Sequence, residues 1–307
     1  MSDFSLTILG SNSALPANSR NPSAQLLQCE NQYYLIDCGE GTQMQFRRYH
    51  LKMQRIKAVF ISHLHGDHYF GLLGLMNSMN LLGRTKEFVI VAPSMLKEII
   101  NLQLKAGGGH MQYPIRYIST DHVKGDVLAE VYTDKQLSVA AFPLRHRIHC
   151  VGFLFRQNEK QRTYLSEVGE KYGVPIIKIP EIKAGQDFVA EDGHIISNSE
   201  LTVNPQPAKS YAYCTDTLPL ESTSEFVKNV DCLYHESTFM EADMERSAKT
   251  LHSTAQQAAK VARNASVGKL LLGHFSARYD SLQPLLQEAR SIFTKSELAE
   301  EGRQFNI

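Results

Sequence analysis

Six residues constrain this chain more than any others. His63-Leu-His65-Gly-Asp67-His68 places four metal-capable side chains around one glycine, directly after the apolar run Ala58-Val-Phe-Ile-Ser62. Imidazoles and carboxylates are poor candidates for unpaired burial. A cluster of them against a buried strand end is costly unless something positive binds there. Their donor atoms suit a borderline metal such as zinc, with manganese or iron admissible. Gly66 permits a tight turn or a close backbone approach. His63 and His65 are two apart, as are His65 and Asp67, whereas Asp67 and His68 are adjacent. On a loop leaving a strand, that alternation sends the pairs to different sides, which points to two adjacent metals rather than one.

Two tetrahedral metals need more ligands than this cluster supplies. Three other places repeat its grammar, an apolar strand with a ligand-type residue just beyond it. His146 follows Leu137–Phe142, with His149 a competitor in Arg145-His-Arg-Ile-His149; Asp216 follows Ser210–Cys214; His274 follows Leu270–Leu272 and a glycine. Polar groups just past the carboxyl ends of buried strands are where layered α/β proteins place their sites.

The rest of the chain fits an α/β reading. Strand-like runs cover Phe4–Leu9, Ala24–Cys29 and Tyr33–Asp37, with a hairpin turn in Gln28–Gln32. Helical spacing covers Tyr69–Leu82, Pro93–Lys105, Thr254–Ala265 and Ser281–Ser291, and Thr254-Ala-Gln-Gln257 spells a capping box. Glu297–Ile307 reads as a tail or a closing edge element. Residues 156–207 are broken by Pro175, Pro180, Pro205 and Pro207, and read as an excursion or reduced arm within a single domain of 307 residues. Thirty-two basic and 32 acidic residues cancel. That excludes a protein that coats nucleic acid nonspecifically and leaves a local patch or a shape-specific site. Five cysteines without a CxxC pair exclude a disulfide framework, a disulfide-linked partner and a thiolate zinc site. No apolar run is long enough for a membrane span or a signal peptide, so the expectation is a cytoplasmic protein with no membrane partner.

A strand followed by His-x-His-x-Asp-His, with a distant His, a distant Asp and a final His, resembles the metallo-β-lactamase superfamily. The resemblance implies a four-layered αβ/βα sandwich, two mixed sheets flanked by helices. It implies two zinc ions per chain, one held by His63, His65 and His146, the other by Asp67, His68 and His274, with Asp216 bridging. Further motifs resemble the short form of ribonuclease Z, the tRNA 3′-processing endonucleases. These are Gly10–Pro16 leading into Arg20-Asn21, Leu35-Ile-Asp37-Cys-Gly-Glu40-Gly-Thr42, Thr215-Asp-Thr217, His235-Glu-Ser-Thr238 and His252-Ser-Thr254. Asn18 stands where that family usually has Lys, and Tyr172–Pro180 lacks the Gly-Pro of the family's tRNA-gripping arm.

The resemblance implies hydrolysis of precursor tRNA just 3′ of the discriminator base, a homodimer, and substrate contacts from Arg20, Asn21, Ser253 and Thr254. Thr254 also opens a helix whose free amides would cradle a phosphate. Arg47, Arg48, Lys52, Arg55 and Lys57, five bases in eleven residues without an acid, form a second candidate phosphate patch. For the chemistry, Asp67 is assigned to orient the attacking water and take its proton. His252 is assigned to the leaving oxygen, with Glu236 fixing its tautomer, and Asp37 braces the metal histidines. The alternative within the same fold is a general metal-dependent phosphodiesterase or another hydrolase.

Overall fold

A computed structural model describes residues 4–307. They form two compact units, one of the residues up to Gln157 together with Lys209–Ile307, the other of Asn158–Ala208. The larger unit begins with β1 (Phe4–Gly10), β2 (Ala24–Cys29), β3 (Gln32–Cys38), α1 (Thr42–Arg48), β4 (Ile56–Phe60), α2 (Gly66–Tyr69), α3 (Leu72–Leu81), β5 (Phe88–Ala92), α4 (Met95–Ala106) and β6 (Ile115–Ser119). It continues through β7 (Ala129–Thr133), β8 (Leu137–Pro143) and β9 (Val151–Gln157). The smaller unit pairs β10 (Thr163–Tyr164) with β13 (Thr202–Val203) and β11 (Phe188–Val189) with β12 (Ile195–Ile196). Its helices are α5 (Ser166–Lys171), α6 (Ile179–Lys183) and α7 (Asn198–Leu201), and its core is Ile182, Phe188, Ile196 and Leu201. The larger unit resumes with β14 (Ser210–Cys214), α8 (Glu221–Phe226), β15 (Cys232–Glu236), α9 (Met244–Thr250), α10 (Ala255–Asn264), β16 (Leu270–Gly273), α11 (Gln283–Arg290), β17 (Ser296–Leu298) and β18 (Gln304–Asn306).

Two seven-stranded mixed sheets result, in the orders β18-β1-β2-β3-β4-β5-β6 and β17-β16-β15-β14-β9-β8-β7. In the first, β3 to β6 run parallel; in the second, β14 to β17 do. The parallel strands are buried runs such as Phe88–Ala92, as expected of strands covered on both faces. One core joins the two sheets face to face. In it Phe60 meets Tyr132, Phe153 and Phe155 edge-on, at ring separations of 5.6, 5.5 and 5.0 Å. A second core packs α10 and α11 on the outer face of one sheet, and a third packs α1, α3 and α4 on the other. The result is the expected four-layered αβ/βα sandwich.

Three local features refine the sequence reading. The single helix expected over Tyr69–Leu82 is broken, because Gly71 is pressed against the end of β3: its amide donates to the Cys38 carbonyl at 2.9 Å, and a Cβ there would lie 2.1 Å from the Gly39 oxygen. Glu297–Ile307 is a closing edge element rather than a tail, since β18 pairs antiparallel with β1. The capping box is complete. The Gln257 amide donates to Thr254 Oγ1 at 3.2 Å, and the Thr254 amide to Gln257 Oε1 at 2.9 Å. Thr254→Ala should therefore cost about 1–2 kcal/mol, seen as a lowered melting temperature; an unchanged one would contradict this. All five cysteines are buried. Among the described residues no helix is long and apolar enough to cross a membrane.

Candidate metal centre

Both sheets point the carboxyl ends of their parallel strands at one place. Asp37 lies near the end of β3, the His63–His68 segment follows β4, Asp216 follows β14, Glu236 ends β15 and His274 follows β16. His146 arrives from the loop after β8. Donor atoms of His63, His65, His146 and Asp216 all lie within 4.8 Å of one another, as do those of Asp67, His68 and His274. In the first group, His65 Nδ1 is 3.0 Å from His63 Nε2 and 3.2 Å from His146 Nε2. Asp216 stands between the groups. Its Oδ2 is 3.5 Å from His63 Nε2 and 3.6 Å from His146 Nε2, and its Oδ1 is 3.3 Å from His68 Nε2 and 3.1 Å from His274 Nε2. Asp67 Oδ2 completes the second group, 3.4 Å from His68 Nε2 and 3.6 Å from His274 Nε2. His149 is not part of it; its Nε2 faces the Thr120 carbonyl at 3.0 Å.

The outward ring nitrogens decide what the inward ones offer. His68 Nδ1 meets Asp37 Oδ2 at 2.7 Å, and His146 Nδ1 meets the Leu251 carbonyl at 3.2 Å. His63 Nδ1 meets Ser62 Oγ at 3.0 Å, and that hydroxyl donates its own proton to Asp37 at 2.8 Å. His274 Nδ1 meets Thr238 Oγ1 at 3.0 Å, and that hydroxyl donates to Glu236 at 2.6 Å. Each outward nitrogen therefore faces an acceptor and carries the proton. Four Nε2 lone pairs are left pointing inward, beside two carboxylates. Nε2 of His68 and of His274 is buried without a hydrogen-bond partner among the described residues. Lone pairs and carboxylates crowded in this way repel one another unless a cation lies between them, so the residues fit a pair of divalent metals.

The electrostatics agree. Burial holds His63 well below its ordinary value, with His68 adding to the effect, and lowers His65 and His146 too, so all three are neutral as ligands must be. Burial opposes the charges on Asp67 and Asp216, but the imidazoles of His68 and His274 overcome it and hold both carboxyls well below their usual range. At the fully buried His68, Asp216, Asp67 and Asp37 likewise overcome burial and raise the imidazole far above its ordinary value. A positive charge is favoured at that point.

Glu236 is fully buried and fixed by four donors. Thr217 N and His252 Nδ1 reach its Oε1 at 2.8 and 2.9 Å, and Thr238 N and Oγ1 reach its Oε2 at 3.2 and 2.6 Å. Burial disfavours a charge on His252, but Glu236 overcomes it and carries the imidazole up to about 9. His252 also groups with Asp216 and His274 as a third set that could hold a metal. A cavity of about 530 Å³ opens on the cluster, lined by His65, Asp67, His146, Asp216 and His252 and walled by Leu15, Pro16 and Phe70.

Other expected contacts are placed differently. Ser253 and Thr254 are fully buried. Ser253 Oγ donates to the Thr217 carbonyl at 2.7 Å, and Thr254 Oγ1 to Glu241 at 2.7 Å. The first amides of α10 are taken as well, Thr254 N by Gln257 and Ala255 N by the Phe239 carbonyl. The phosphate cradle expected at Thr254 is therefore closed, and both hydroxyls build the fold instead. The Asn21 carboxamide donates to Glu301 Oε2 at 2.7 Å, and the Arg20 guanidinium donates to Asn12 Oδ1 and the Tyr279 carbonyl, each at 2.9 Å. In the basic stretch, Arg55 stacks on Tyr33 at 4.2 Å and Lys57 pairs with Asp134 at 2.8 Å, while Arg47, Arg48 and Lys52 are exposed.

Sequence reasoning passed over Ser62, Tyr213, Thr238 and the Leu251 carbonyl. Tyr213 Oη donates to Asp37 at 2.7 Å. No spacing marks these groups, because each meets its partner only through the tertiary fold. Backbone strain would be the other signal, but it is visible only in three dimensions. Asp37, Leu251 and His274 sit at φ of 52°, 61° and 57°, a conformation costing about 1–2 kcal/mol per residue and kept where the surroundings over-determine it.

Comparison with known proteins adds to this geometry. The family model of the Anti-Pycsar protein Apyc1 matches residues 4–167. Ribonuclease Z of Parabacteroides distasonis is 42% identical over 307 residues, with 100% of both chains covered. Ribonuclease Z of Cytophaga hutchinsonii is 44% identical over 312 residues, covering 99% of this chain and 96% of that one. Among solved structures, human tRNase Z, short form, superposes with a TM-score of 0.70 at 26% identity, covering 99% of each chain.

Proposed function

Since the chain belongs to the ribonuclease Z family, and its residues 4–167 also to that of the Anti-Pycsar protein Apyc1, we propose that it is a metal-dependent endoribonuclease cutting precursor tRNA 3′ of the discriminator base and leaving a tRNA 3′-hydroxyl. The observation that carries this is the pair of donor groups at the lining of one cavity, with Asp216 in the first and its Oδ1 3.3 and 3.1 Å from His68 and His274 of the second. We assign two zinc ions per chain, one to His63, His65 and His146, the other to Asp67, His68 and His274, with Asp216 between them. Manganese or iron would satisfy the same donors. Bound there, two divalent ions supply Lewis acidity that lowers the pKa of water and neutralises charge on the phosphate oxygens.

The chain's own residues do the rest. Asp67 orients the attacking water and takes its proton. His252, its Nδ1 held by Glu236, leaves Nε2 to protonate the departing 3′ oxygen of the discriminator nucleotide, and the phosphate stays on the trailer. Asp37, Ser62, Thr238 and the Leu251 carbonyl hold the histidine rings in the tautomer and orientation that ligation needs. A folded acceptor stem reaches this cavity by shape, and its unpaired 3′ end enters as a flexible single strand. Exposed Met44, Leu81 and Leu82 on and beside α1 and α3 support a homodimer, and five buried cysteines without a CxxC pair support a cytoplasmic setting.

The test is an end-mapped digest of precursor tRNA by metal-loaded protein, beside mature tRNA ending in CCA, an unstructured RNA and a small aryl phosphodiester. The expected result is one cut after the discriminator base and a clear preference in kcat/KM for the folded precursor. Equal kcat/KM on folded and unstructured RNA would leave a general phosphodiesterase instead.

A further inference from the structure

Resting on that reading of the site, we propose that Arg20 is a positioning residue for Asp67 rather than a contact for the RNA. The loop Asn12–Arg20 touches the carboxylate assigned as base. The Ala14 amide donates to Asp67 Oδ2 at 2.8 Å. To do so Ala14 adopts φ 64°, and Asn18 and Ser19 follow at 51° and 58°. Three non-glycine residues in the left-handed region within six positions relax to other shapes unless the loop is held from outside.

Arg20 is one such hold. Its Nε donates to Asn12 Oδ1, and a terminal nitrogen donates to the Tyr279 carbonyl, each at 2.9 Å. Asn12 in turn donates through its amide nitrogen to the Leu15 carbonyl at 2.6 Å, immediately beyond Ala14. Asn18 ties the far side of the loop to the Ala277 and Tyr279 carbonyls at 2.9 and 3.2 Å. The base of the loop is zipped to the segment after His274, for Ser13 N donates to the Phe275 carbonyl and Phe275 N to the Ser11 carbonyl, each at 2.9 Å. A planar fork spanning two acceptors is a task for guanidinium that an ammonium cannot reproduce.

The consequence falls on one oxygen. The contacts of the Asp67 carboxylate with Ala14 N, His68 Nε2 and His274 Nε2 all fall on Oδ2. With Oδ2 fixed, Oδ1 is the oxygen left to receive the proton of the attacking water. Loosening the loop lets the carboxylate rotate, which misaligns the base without removing a ligand.

The experiment compares Arg20→Lys and Arg20→Gln with the parent on precursor tRNA and on a small aryl phosphodiester, with bound metal measured for each. A positioning role lowers kcat about 10- to 100-fold by the same factor on both substrates, with KM for precursor tRNA and metal content unchanged. A rise in KM confined to precursor tRNA, with parental rates on the aryl diester, overturns the proposal in favour of an RNA contact. Parental rates on both substrates overturn it as well. Should the parent cut the aryl diester but not precursor tRNA, the tRNA reading fails, while the comparison on the aryl diester still decides the role of Arg20.

Discussion

Asp216→Ala, purified without chelator, should retain well under half of the metal bound by the parent, about two ions per chain, and should cleave precursor tRNA no faster than background. The reason is its position between the two donor groups. One oxygen faces His63 and His146 at 3.5 and 3.6 Å, the other faces His68 and His274 at 3.3 and 3.1 Å. Removing it takes an anionic donor from each position at once. Asp67 is then the sole carboxylate among the assigned donors, set against two dications. Alanine also leaves a buried space walled by imidazoles whose Nε2 lone pairs face one another. His146→Ala is the contrast. His146 meets His65, and Asp216 through Oδ2, but nothing in the second group. It should empty one position and leave the other occupied. Metal analysis of the two variants side by side settles the matter, and full occupancy in Asp216→Ala would remove Asp216 from the ligand set.

The division between what was legible in the sequence and what was not follows from how local each signal is. His63 to His68 could be read directly, because four donors fall in six residues after a buried strand. Asp216, His146 and His274 were readable only as repeats of that grammar. Spacing alone left His146 and His149 level, since both lie in one short loop; the family resemblance favoured His146, and the turn of the chain sends His149 to Thr120. The break at Gly71 was hidden because apolar spacing runs through it unchanged; the cause is the close approach of the Gly39 carbonyl, just beyond the end of β3. Ser253 and Thr254 were misread because a hydroxyl beside a histidine looks the same in sequence whether it faces substrate or the backbone beneath. Ser62 and Thr238 carry the inverse lesson. They are ordinary hydroxyls made important by two-step chains from histidine to hydroxyl to carboxylate, whose ends lie 26 and 38 positions apart in the sequence.

His252→Ala should lower kcat about 10²–10⁴-fold, the usual worth of a general acid, while leaving KM for precursor tRNA and bound metal at parental values. The pattern follows from when the interaction forms. A proton passed to a departing oxygen stabilises the transition state and not the bound substrate, so its removal appears in kcat. The geometry allows a rival reading, because His252 lies close enough to Asp216 and His274 to complete a third donor group. The two roles separate cleanly: a ligand takes metal with it when removed, an acid does not. Glu236→Gln sharpens the comparison. The amide keeps an oxygen within reach of His252 Nδ1 but no longer supplies the charge that favours the imidazolium, and second-sphere partners of this kind are worth about 10–100-fold. Its kcat should therefore fall between those of the parent and His252→Ala. A His252→Ala enzyme within about twofold of the parent in kcat would end the general-acid assignment, and one depleted of metal would make His252 a ligand.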